Sequence, residues 1–583
     1  MDIGILHIRV PLRSAYVASG FGALIGLAYA FYLFPVDFFV GHGAFWQAPP
    51  IEDIATAITA LRYYVNDQWH FPLFRTVGIA PPRGISITYM DALPLLAVFA
   101  KFLKHVFSVE WTYFGLWIGL CYVLQGLSAV FLLQALGVRG WLPAATVGAL
   151  AVFTPAFLFR LFHPALNGHF LILLALALYF LAIRRSAFDR VWPWFCGLTW
   201  VSLWVQAYFF VMILTIFIGT AVQTAVTHRG GWRAATAAIG VCIGGSVLLM
   251  WVSGFFWERS GWDPLAIGSP KWFGIGSMNV LSPVIPQWSE FFPEIASVFG
   301  VAKGPYTAVG VIDATGGQYE GYNYLGAGIL LLSAIALWLA RRDFASLLRK
   351  HWGLLAACVA LTGLAITHRI QVGKWELSLF DEVPLVLENI RSSGRLFWPV
   401  GYLIMAGAIA LIAHRAGRYL GPALLVCAVA LQIGDTAWIR DWQRNWATHG
   451  YAFPIPAKPW ADLIRMHEAL SIFPTSGCVE APNSWKLIAD LAFHASASGT
   501  PVNTAAVDHP KSADCAVEAM SVRHTELDNA RLLVFLDPRY AAAFAAGHDD
   551  YRQLCRAFDM GIACSKIWSD IEESGLGGIF TPI

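Results

Sequence analysis

Long uninterrupted runs of apolar residues dominate the chain as far as about residue 435, with short polar segments between them. Most runs have roughly the 17–25 residues that a helix needs to cross the hydrocarbon core of a bilayer. The run from residue 191 to 227 is too long for one helix, so it predicts two helices with a break near Gln206–Tyr208. The sequence therefore predicts an all-α polytopic membrane bundle of about eleven transmembrane helices. The predicted spans lie near 15–35, 113–136, 141–159, 170–183, 191–206, 208–227, 234–256, 324–340, 352–367, 397–413 and 419–435.

Positive residues between the runs indicate the orientation, because Arg and Lys accumulate in cytoplasmic loops. The assignment of these loops to one side holds only if residues 91–107 do not cross the bilayer. Their apolar run, Ala92–Ala100, is about half as long as a span, so we predict that it forms a helix in the membrane interface. The first span is too long for the apolar region of a signal peptide and lacks a cleavage site after it. We predict an inner-membrane protein with a cytoplasmic N-terminus. The alternating positive loops contain Arg9, Arg13, Arg139, Arg184, Arg185, Arg190, Arg229, Arg233, Arg341, Arg342, Arg349, Lys350, Arg415 and Arg418.

The longer polar segments all fall on the outer, periplasmic side in this orientation. Residues 1–435 then form a transmembrane domain and residues 436–583 a periplasmic domain. Any chemistry is expected on this outer side. The outer segments are the first loop at 36–112, a turn at 160–169, loops at 257–323 and 368–396, and the tail.

The tail alternates short apolar runs with helical patterns, which favours an α/β domain with a parallel sheet. It contains no catalytic motif, so we predict that it binds or caps a site on the outer face. The predicted strands are Cys478–Ala481, Leu532–Leu536 and Gly561–Ile567, and the predicted helices are Trp485–Ala495, Ala513–Val522 and Tyr540–Phe558.

Nine cysteines divide between the two regions. Five lie in the apolar runs, where a cysteine serves as a small apolar residue. The other four, Cys478, Cys515, Cys555 and Cys564, lie in the exported tail, where disulfides persist. Three pairings are possible. Proximity in the sequence favours Cys478–Cys515 and Cys555–Cys564.

Composition excludes several classes of protein. Hydrophobic residues make up 57% of the chain and charged residues 13%, against roughly a quarter charged in soluble proteins. A net charge of +2 provides no basic field for nucleic acid. The centres of the spans contain no Asp, Glu, Lys or Arg, unlike the ion relays of transporters. The sequence also lacks a G-x-x-x-x-G-K-[ST] phosphate-binding loop, so the chain is not itself an ATP-driven pump.

Acidic residues gather at the outer boundary of the bundle instead, and the first loop contains a notable pair. Glu52 and Asp53 follow two prolines and begin a helical pattern that runs to about Asn66. The helix dipole stabilises carboxylates at this position, so they could serve only to start the helix. A carboxylate here is also placed to act as a general base at the membrane surface. The residues alone leave both interpretations open.

Six segments in order resemble the GT-C superfamily of membrane glycosyltransferases, and more closely an uncharacterised bacterial family of multi-pass membrane proteins in that superfamily. Members of that family often have Gly before the loop aspartate, where this chain has Glu52, so both carboxylates stay candidates. The matching segments are EDIATAITALRYYVNDQWHFPL (52–73), PPRGISITYMDALPLLAVFAKFL (81–103), RLFHPALNGHFLILLALALYF (160–180), SMNVLSP (277–283), GQYEGYNYLGAG (317–328) and IRSSGRLFWPVGY (390–402).

The resemblance implies an enzyme that moves a sugar from a polyprenyl-phosphate donor to a glycan, lipid or protein acceptor on the outer face. It places the base at Asp53, with Glu52 in reserve. A departing phosphate needs cations, and Arg391 and Arg395 precede the span that starts at Phe397. Their spacing puts both on one face if the segment is helical, but they could equally be snorkelling side chains. Lys374 is a weaker phosphate candidate.

Further polar residues of the matching segments have two interpretations each. Related enzymes have a cavity-facing polar residue near the turn that contains His163 and His169. The two histidines are six residues apart, a spacing that does not align two metal ligands on one helix. A divalent metal is therefore the weaker alternative, and no cofactor is predicted. Asp91 and Lys101 are candidates for the donor pocket, but they could also only anchor an interfacial helix. Glu320 and Tyr322 are candidates for binding sugar hydroxyls, but the glycines of their segment could also mark only a tight turn.

Two other classes of function stay open. A lipid-linked glycan ligase or polymerase would share the outer arginines but take a lipid-pyrophosphate donor, and a transporter would need polar groups along the bundle. A non-catalytic scaffold with a periplasmic binding domain would bind no lipid phosphate.

Overall fold

The computed structural model describes residues 12–106, 111–184, 187–228, 230–257, 266–286, 288–291, 314–480, 482–507 and 514–583. All structural statements concern these residues. Arg9, Arg185 and Arg229 of the predicted cytoplasmic loops lie outside them, as do Ala481 and Ala513 at the ends of two predicted elements.

Each of the eleven predicted spans contains a helix. The predicted break is confirmed, because one helix ends at Val205 and the next begins at Ala207. The helices as far as residue 448 are α1 (Leu12–Leu33), α2 (Val36–Phe39), α3 (Ala44–Gln47), α4 (Glu52–Asn66), α5 (Pro94–Phe102), α6 (Phe114–Ala135), α7 (Trp141–Val152), α8 (Pro155–Leu158), α9 (Phe170–Arg184), α10 (Phe188–Val205), α11 (Ala207–Thr227), α12 (Gly231–Ser253), α13 (Ala327–Ala340), α14 (Phe344–Lys350), α15 (Trp352–Ile366), α16 (Trp398–Arg415), α17 (Leu420–Asp435) and α18 (Ala437–Thr448).

Several of these helices identify the chain as a membrane protein. By length and composition, five described segments could cross a bilayer alone: Phe114–Ala135, Pro164–Ile183, Ala207–Thr227, Gly231–Ser253 and Ser393–Arg415. Two bent pairs meet the same criteria together, α14 with α15 at 91° and α17 with α18 at 50°. Eleven crossings and the orientation stay predictions. Helix α5 has nine residues and rises only about 14 Å, as expected for an interfacial helix.

The orientation predicts opposite labelling of two positions in intact cells. A membrane-impermeant thiol reagent should label Ser269→Cys from outside and should label Arg341→Cys only after the membrane is opened, because alternate positive loops are cytoplasmic. The unsubstituted protein gives the background from its native cysteines. External labelling of Arg341→Cys would overturn the topology.

A stripe of aromatic side chains on α18 holds the outer turn (160–169) in place. Trp442 and Trp446 are four residues apart and therefore lie on one face of the helix. Their rings contact Phe159, at 5.6 Å between centroids, and Phe162, at 5.5 Å. Aromatic residues concentrate at membrane–water interfaces. The outer turn, which contains two of the predicted site residues, is thus fixed at the edge of the bundle.

The C-terminal region forms a five-stranded sheet of β7 (Ala469–Phe473), β8 (Arg531–Phe535), β9 (Cys555–Phe558), β10 (Gly561–Cys564) and β11 (Thr581–Pro582), in the order β11-β9-β10-β8-β7 and flanked by helices. Three two-stranded pairs lie outside it: β1 (Arg75–Thr76) with β2 (Ile85–Ser86), β3 (Ile267–Gly268) with β6 (Val383–Pro384), and β4 (Arg369–Val372) with β5 (Trp375–Ser378). The C-terminal elements are α19 (Ala457–Arg465), β7 (Ala469–Phe473), α20 (Pro482–Ser498), α21 (Cys515–Val522), β8 (Arg531–Phe535), α22 (Pro538–Ala545), α23 (Tyr551–Leu554), β9 (Cys555–Phe558), β10 (Gly561–Cys564), α24 (Trp568–Glu573) and β11 (Thr581–Pro582).

The predicted parallel sheet is wrong in most of its pairings. Among the five strands described for this sheet, β7 and β8 are parallel, with helices α20 and α21 between them, and the other three pairs are antiparallel. Cys478–Ala481 forms no strand in its described part, and the first strand is Ala469–Phe473 instead. The predicted helix Tyr540–Phe558 is replaced by α22, α23 and strand β9.

Two disulfides join the pairs that the sequence favours. Cys478 bonds to Cys515, and Cys555 bonds to Cys564. The first connects the loop after β7 to helix α21, and the second joins opposite positions of the β9–β10 hairpin. Both disulfides therefore stabilise the C-terminal domain alone.

The C-terminal domain docks on the first loop through helix α20, which packs along α4. The guanidinium of Arg62 lies 4.5 Å from the centre of the Phe493 ring. Val502 donates its N–H to the carbonyl of Gly78 at 2.9 Å and accepts the N–H of Ala80 at 2.7 Å. The first loop thus continues the edge of the C-terminal sheet.

Asp490 of α20 makes this docking sensitive to pH. Burial raises the pKa of Asp490 to about 7 against the opposing charge of Lys486, and Glu52 of α4 adds to the rise. An unfolded aspartate has a pKa of about 3.9. Between these values the folded protein retains a proton that the unfolded chain releases, so stability falls as pH rises from about 4 to 7.

We expect Asp490→Asn to remove this pH dependence. The variant should unfold several degrees higher than the wild type at pH 8 and at a similar temperature at pH 5, since 1 kcal/mol is worth roughly 2–4 °C. Thermal unfolding of the full chain measures this, with the exposed Asp528→Asn as matched control. Equal shifts at both pH values would contradict the assignment.

Candidate functional site

Two carboxylates and a histidine meet where the first loop faces the outer turn. His163 Nδ1 lies 3.8 Å from Asp53 Oδ2 and 4.0 Å from Asp91 Oδ2. These distances are too long for hydrogen bonds, so the three side chains are neighbours across a narrow space. Asp53 lies in the first turn of α4, and its side chain is 40% exposed. This corner therefore has an accessible carboxylate beside a largely buried imidazole.

Asp91 has a positive φ, which few non-glycine residues adopt, although aspartate is among those that do. Its φ is +50°, in the left-handed region, which non-glycine residues favour little. Gln206, in the break between α10 and α11, donates its side-chain N–H to Asp91 Oδ1 at 2.8 Å. Such strained residues concentrate at functional sites.

Two buried arginines converge on Glu320 beside this corner. Arg395 forms an ion pair with the Glu320 carboxylate, and the two side chains are 8% and 19% exposed. Arg160 donates from Nη1 to the main-chain carbonyl of Glu320 at 3.1 Å. Its Nε and Nη2 have no hydrogen-bond partner among the described residues. A buried guanidinium with unused donors favours an anionic ligand, because leaving such donors unpaired is costly.

Close contacts between glycines bring the segments of this group together. Gly394 donates its N–H to the carbonyl of Gly276 at 2.8 Å. A Cβ on Gly276 would lie 2.7 Å from the Cα of Ser392, which is closer than real side chains allow. The buried Gln318 donates to Ser277 Oγ at 3.1 Å. Three of the segments that carry the resemblance are therefore packed against one another.

Burial and the neighbouring charges together determine the protonation of His163, Glu320 and Arg160. Burial lowers the pKa of His163 to about 3; Glu320 opposes this effect, and the arginines add to it. Burial alone would raise the pKa of Glu320, but Arg395, His163 and Arg160 lower it to about 2. Burial and the charge of Arg395 lower the pKa of Arg160 to about 9. At neutral pH the histidine is therefore uncharged, Glu320 is ionised and Arg160 is a cation.

A narrow cleft opens between the two domains beside this corner. It is lined by Asp53, Thr56 and Asp91 from the first loop, and by Trp485, Ala506 and Val507 from the C-terminal domain. The described part of the 257–323 loop contributes Glu320, which lies near His163.

The two candidate bases have different surroundings in the structure, and so do the three candidate phosphate ligands. Glu52 faces α20, where its charge acts on Asp490, whereas Asp53 lines the cleft. Arg391 and Arg395 do not share a helix face, because only Arg395 lies in the 3₁₀ turn Ser393–Phe397. Arg391 is half-buried and acts electrostatically on His163. Lys374 is exposed at the turn of the β4–β5 hairpin.

The contacts of three other candidates support structural roles. Lys101 donates to the carbonyl of Gln68 at 2.9 Å, and burial lowers its pKa to about 8. Tyr322 is fully buried and donates to the carbonyl of Trp288 at 2.7 Å. His169 hydrogen-bonds through Nδ1 to a tyrosine hydroxyl in the bundle. Their predicted roles in substrate binding stay predictions.

Arg160 is the residue that sequence reasoning missed. It begins the segment RLFHPALNGHF, and it is the one charged residue in the otherwise apolar stretch from Pro155 to Phe162. A lone arginine in an apolar stretch at the end of a predicted span was the available signal. Among the described residues, no three His, Cys, Asp or Glu side chains are grouped to hold a metal ion.

Solved structures similar to this chain include three of the oligosaccharyltransferase of Archaeoglobus fulgidus. The apo form has a TM-score of 0.43 at 11% identity, and the form tethered with an acceptor peptide containing the NVT sequon has 0.45 at 12%. The complex with an inhibitory peptide and a dolichol-phosphate has 0.41 at 11%. Each alignment covers 95% of this chain and 74% of the other. This similarity is too low to identify a site or a reaction.

Family models cover most of the chain. A search of curated proteins gives no match. The model described as "Domain of unknown function (DUF6311)" matches residues 23–437, and the model of the DUF6311 C-terminal domain matches residues 459–566. The chain belongs to the DUF6311 family.

Proposed function

We propose that this chain is a membrane glycosyltransferase that moves a sugar from a polyprenyl-phosphate donor to an acceptor on the outer, periplasmic face. One observation carries the proposal: His163 lies within 4.0 Å of Asp53 and Asp91, and it also faces the guanidiniums around Glu320. A carboxylate that can take a proton and cations that can hold a phosphate are thus combined at one edge of the bundle.

In the proposed reaction, Asp53 accepts the proton of the acceptor hydroxyl. The acceptor oxygen forms a bond to the anomeric carbon of the sugar as the bond from that carbon to the phosphate oxygen breaks. The bonding electrons leave with the polyprenyl phosphate. Arg160 and Arg395 stabilise its charge, with Arg391 at the rim of the site.

The unused donors of Arg160 support an anionic donor substrate. Arg395 is paired with the carboxylate of Glu320, and Asp91 also acts on it electrostatically. Arg160 donates to the main-chain carbonyl of Glu320. A phosphate would satisfy the donors of Arg160 that have no partner among the described residues.

Binding of undecaprenyl phosphate to the full chain in nanodiscs tests the proposal. We expect saturable binding that undecaprenol does not show and that excess phosphatidylglycerol does not displace. A synthetic polyprenyl-phosphate sugar should then lose its sugar only when an acceptor is added. Equal binding of the alcohol and the phosphate would refute the proposal, and preference for the diphosphate would support the ligase alternative.

A further inference from the structure

We propose that the apolar face of the β4–β5 hairpin lies in the bilayer interface, in the leaflet on the side where α15 ends. The partner that this surface fits is a lipid surface and not another protein. The inference does not require the proposed sugar transfer, because it concerns only how the loop at 368–396 is held against the membrane.

One face of the hairpin is apolar and uncovered. Residues directly opposite each other on antiparallel strands lie on the same face of the pair. The pairs Val372 with Trp375 and Ile370 with Leu377 therefore make one face wholly apolar. Trp375 is 84% exposed, Leu377 60% and Val372 44%. Most of this face is thus left without cover by the described part of the chain.

The opposite face attaches the hairpin to the protein. Its pairs are Arg369 with Ser378 and Gln371 with Glu376. Gln371 is fully buried; its side-chain oxygen accepts from Ser277 Oγ at 3.1 Å, and its side-chain N–H donates to Glu376 Oε2 at 3.1 Å. These polar contacts fix the orientation of the hairpin, so the apolar face does not turn inward without breaking them.

The hairpin begins at the end of a helix that is short for a span. Helix α15 has 15 residues and ends at Ile366, and β4 begins at Arg369. A helix of that length rises only about 22 Å, against about 30 Å for the hydrocarbon core. Helix α14 is bent by 91° from α15 and adds little length in the same direction. The hairpin therefore starts at the membrane boundary, where water can still satisfy the main-chain groups along its strand edges.

The composition of the hairpin favours lipid over a protein partner. At a membrane–water interface an indole ring lies at the headgroup level, and a lysine extends its charge towards the water. Lys374 stands at the turn directly beside Trp375, and the exposed Leu379 and Phe380 extend the apolar surface beyond β5. Lysine is depleted in protein–protein interfaces. A lipid surface thus matches both the face and its turn.

A hairpin held in this way also fixes the depth of the candidate site. The chain runs from β5 through Arg391 to Arg395 before α16 begins at Trp398. Anchoring the hairpin at the interface keeps this short segment close to the plane in which lipid phosphates lie. The loop therefore has a defined position relative to the membrane as well as to the bundle.

Spin labels on the full chain in nanodiscs test the position of this face. The labels are attached to Trp375→Cys and Leu377→Cys, with Cys427→Ser in every variant because Cys427 is the exposed free cysteine of the described chain. Oxygen dissolves preferentially in lipid and a nickel chelate in water, so the ratio of their collisions with the label reports depth. We expect this ratio to be several-fold higher at both positions than at Glu376→Cys, the matched control on the opposite face of the same strand.

Two further labels calibrate the ratio. Val359→Cys, on the exposed side of α15, gives the value for lipid, and the exposed Asp528→Cys in the C-terminal domain gives the value for water. A ratio equal to that of Asp528→Cys at either hairpin position would place the face in water, open to a soluble protein, and would refute the proposal. Poor access of both reagents would show that protein covers the face, as in a dimer, and would refute it as well.

Discussion

Replacing Asp53 with Asn is expected to lower the rate of sugar transfer by about two to four orders of magnitude, the usual contribution of a general base. The amide keeps the shape of the side chain but does not accept the acceptor's proton. Asp53 lies at the start of α4, where the helix dipole favours the ionised form that a base needs. Because the proposal assigns the donor phosphate to the arginines, binding of the donor should survive.

Transfer rate and donor affinity, measured on the same preparation, test this expectation. Glu52→Gln is the matched control, since it removes a carboxylate from the adjacent position of the same helix turn. Glu52 faces α20 rather than the cleft, so its loss should change transfer little. Wild-type transfer by Asp53→Asn would refute the assignment, and loss of transfer in Glu52→Gln alone would make Glu52 the base.

The helices were predictable because crossing a bilayer imposes a length and an apolar composition that the sequence shows directly. The break at Gln206 was predictable from the same requirement, because 37 consecutive residues between positive flanks exceed one span. Those constraints act within one segment. They say little about which segments meet, and the approach of the outer turn to the 390–402 segment appears only in the structure.

The C-terminal sheet shows where local patterns compete. Tyr540–Phe558 has a helical pattern, yet Cys555 pairs with Cys564 directly across the β9–β10 hairpin. The predicted disulfide already implied that hairpin, because two cysteines nine residues apart can face each other across adjacent strands. The pairing of two adjacent strands therefore outweighed the helical propensity in this segment.

The candidate site was predictable only in part. The carboxylates and Arg395 could be identified from their residue types at the outer boundary. Arg160 could not be placed from spacing, because it meets Glu320 across 160 residues of sequence. The wall that contains Trp485 depends on the docking of two domains, which no local pattern in either domain encodes.

Replacing Arg395 with Ala is expected to weaken donor binding about 30-fold or more. Truncating one partner of a buried charged hydrogen bond costs roughly 2–5 kcal/mol, and about 1.4 kcal/mol corresponds to a factor of ten in Kd. Arg395 is buried against Glu320, so its replacement also leaves that carboxylate with less compensation. Arg160→Ala should have a comparable effect on the donor. Arg391→Ala should have a smaller one, because Arg391 is only half-buried.

The double variant Arg395→Ala/Glu320→Gln separates binding from folding. It removes the ion pair as a unit, so unfolding temperature should recover relative to Arg395→Ala while donor affinity stays low. The matched control is Arg369→Ala, whose side chain is 52% exposed in its pair with Glu376. Affinity for undecaprenyl phosphate in nanodiscs is the measurement. Wild-type affinity in both Arg395→Ala and Arg160→Ala would show that these arginines only stabilise the fold, because a phosphate held by two buried guanidiniums cannot lose either of them without cost.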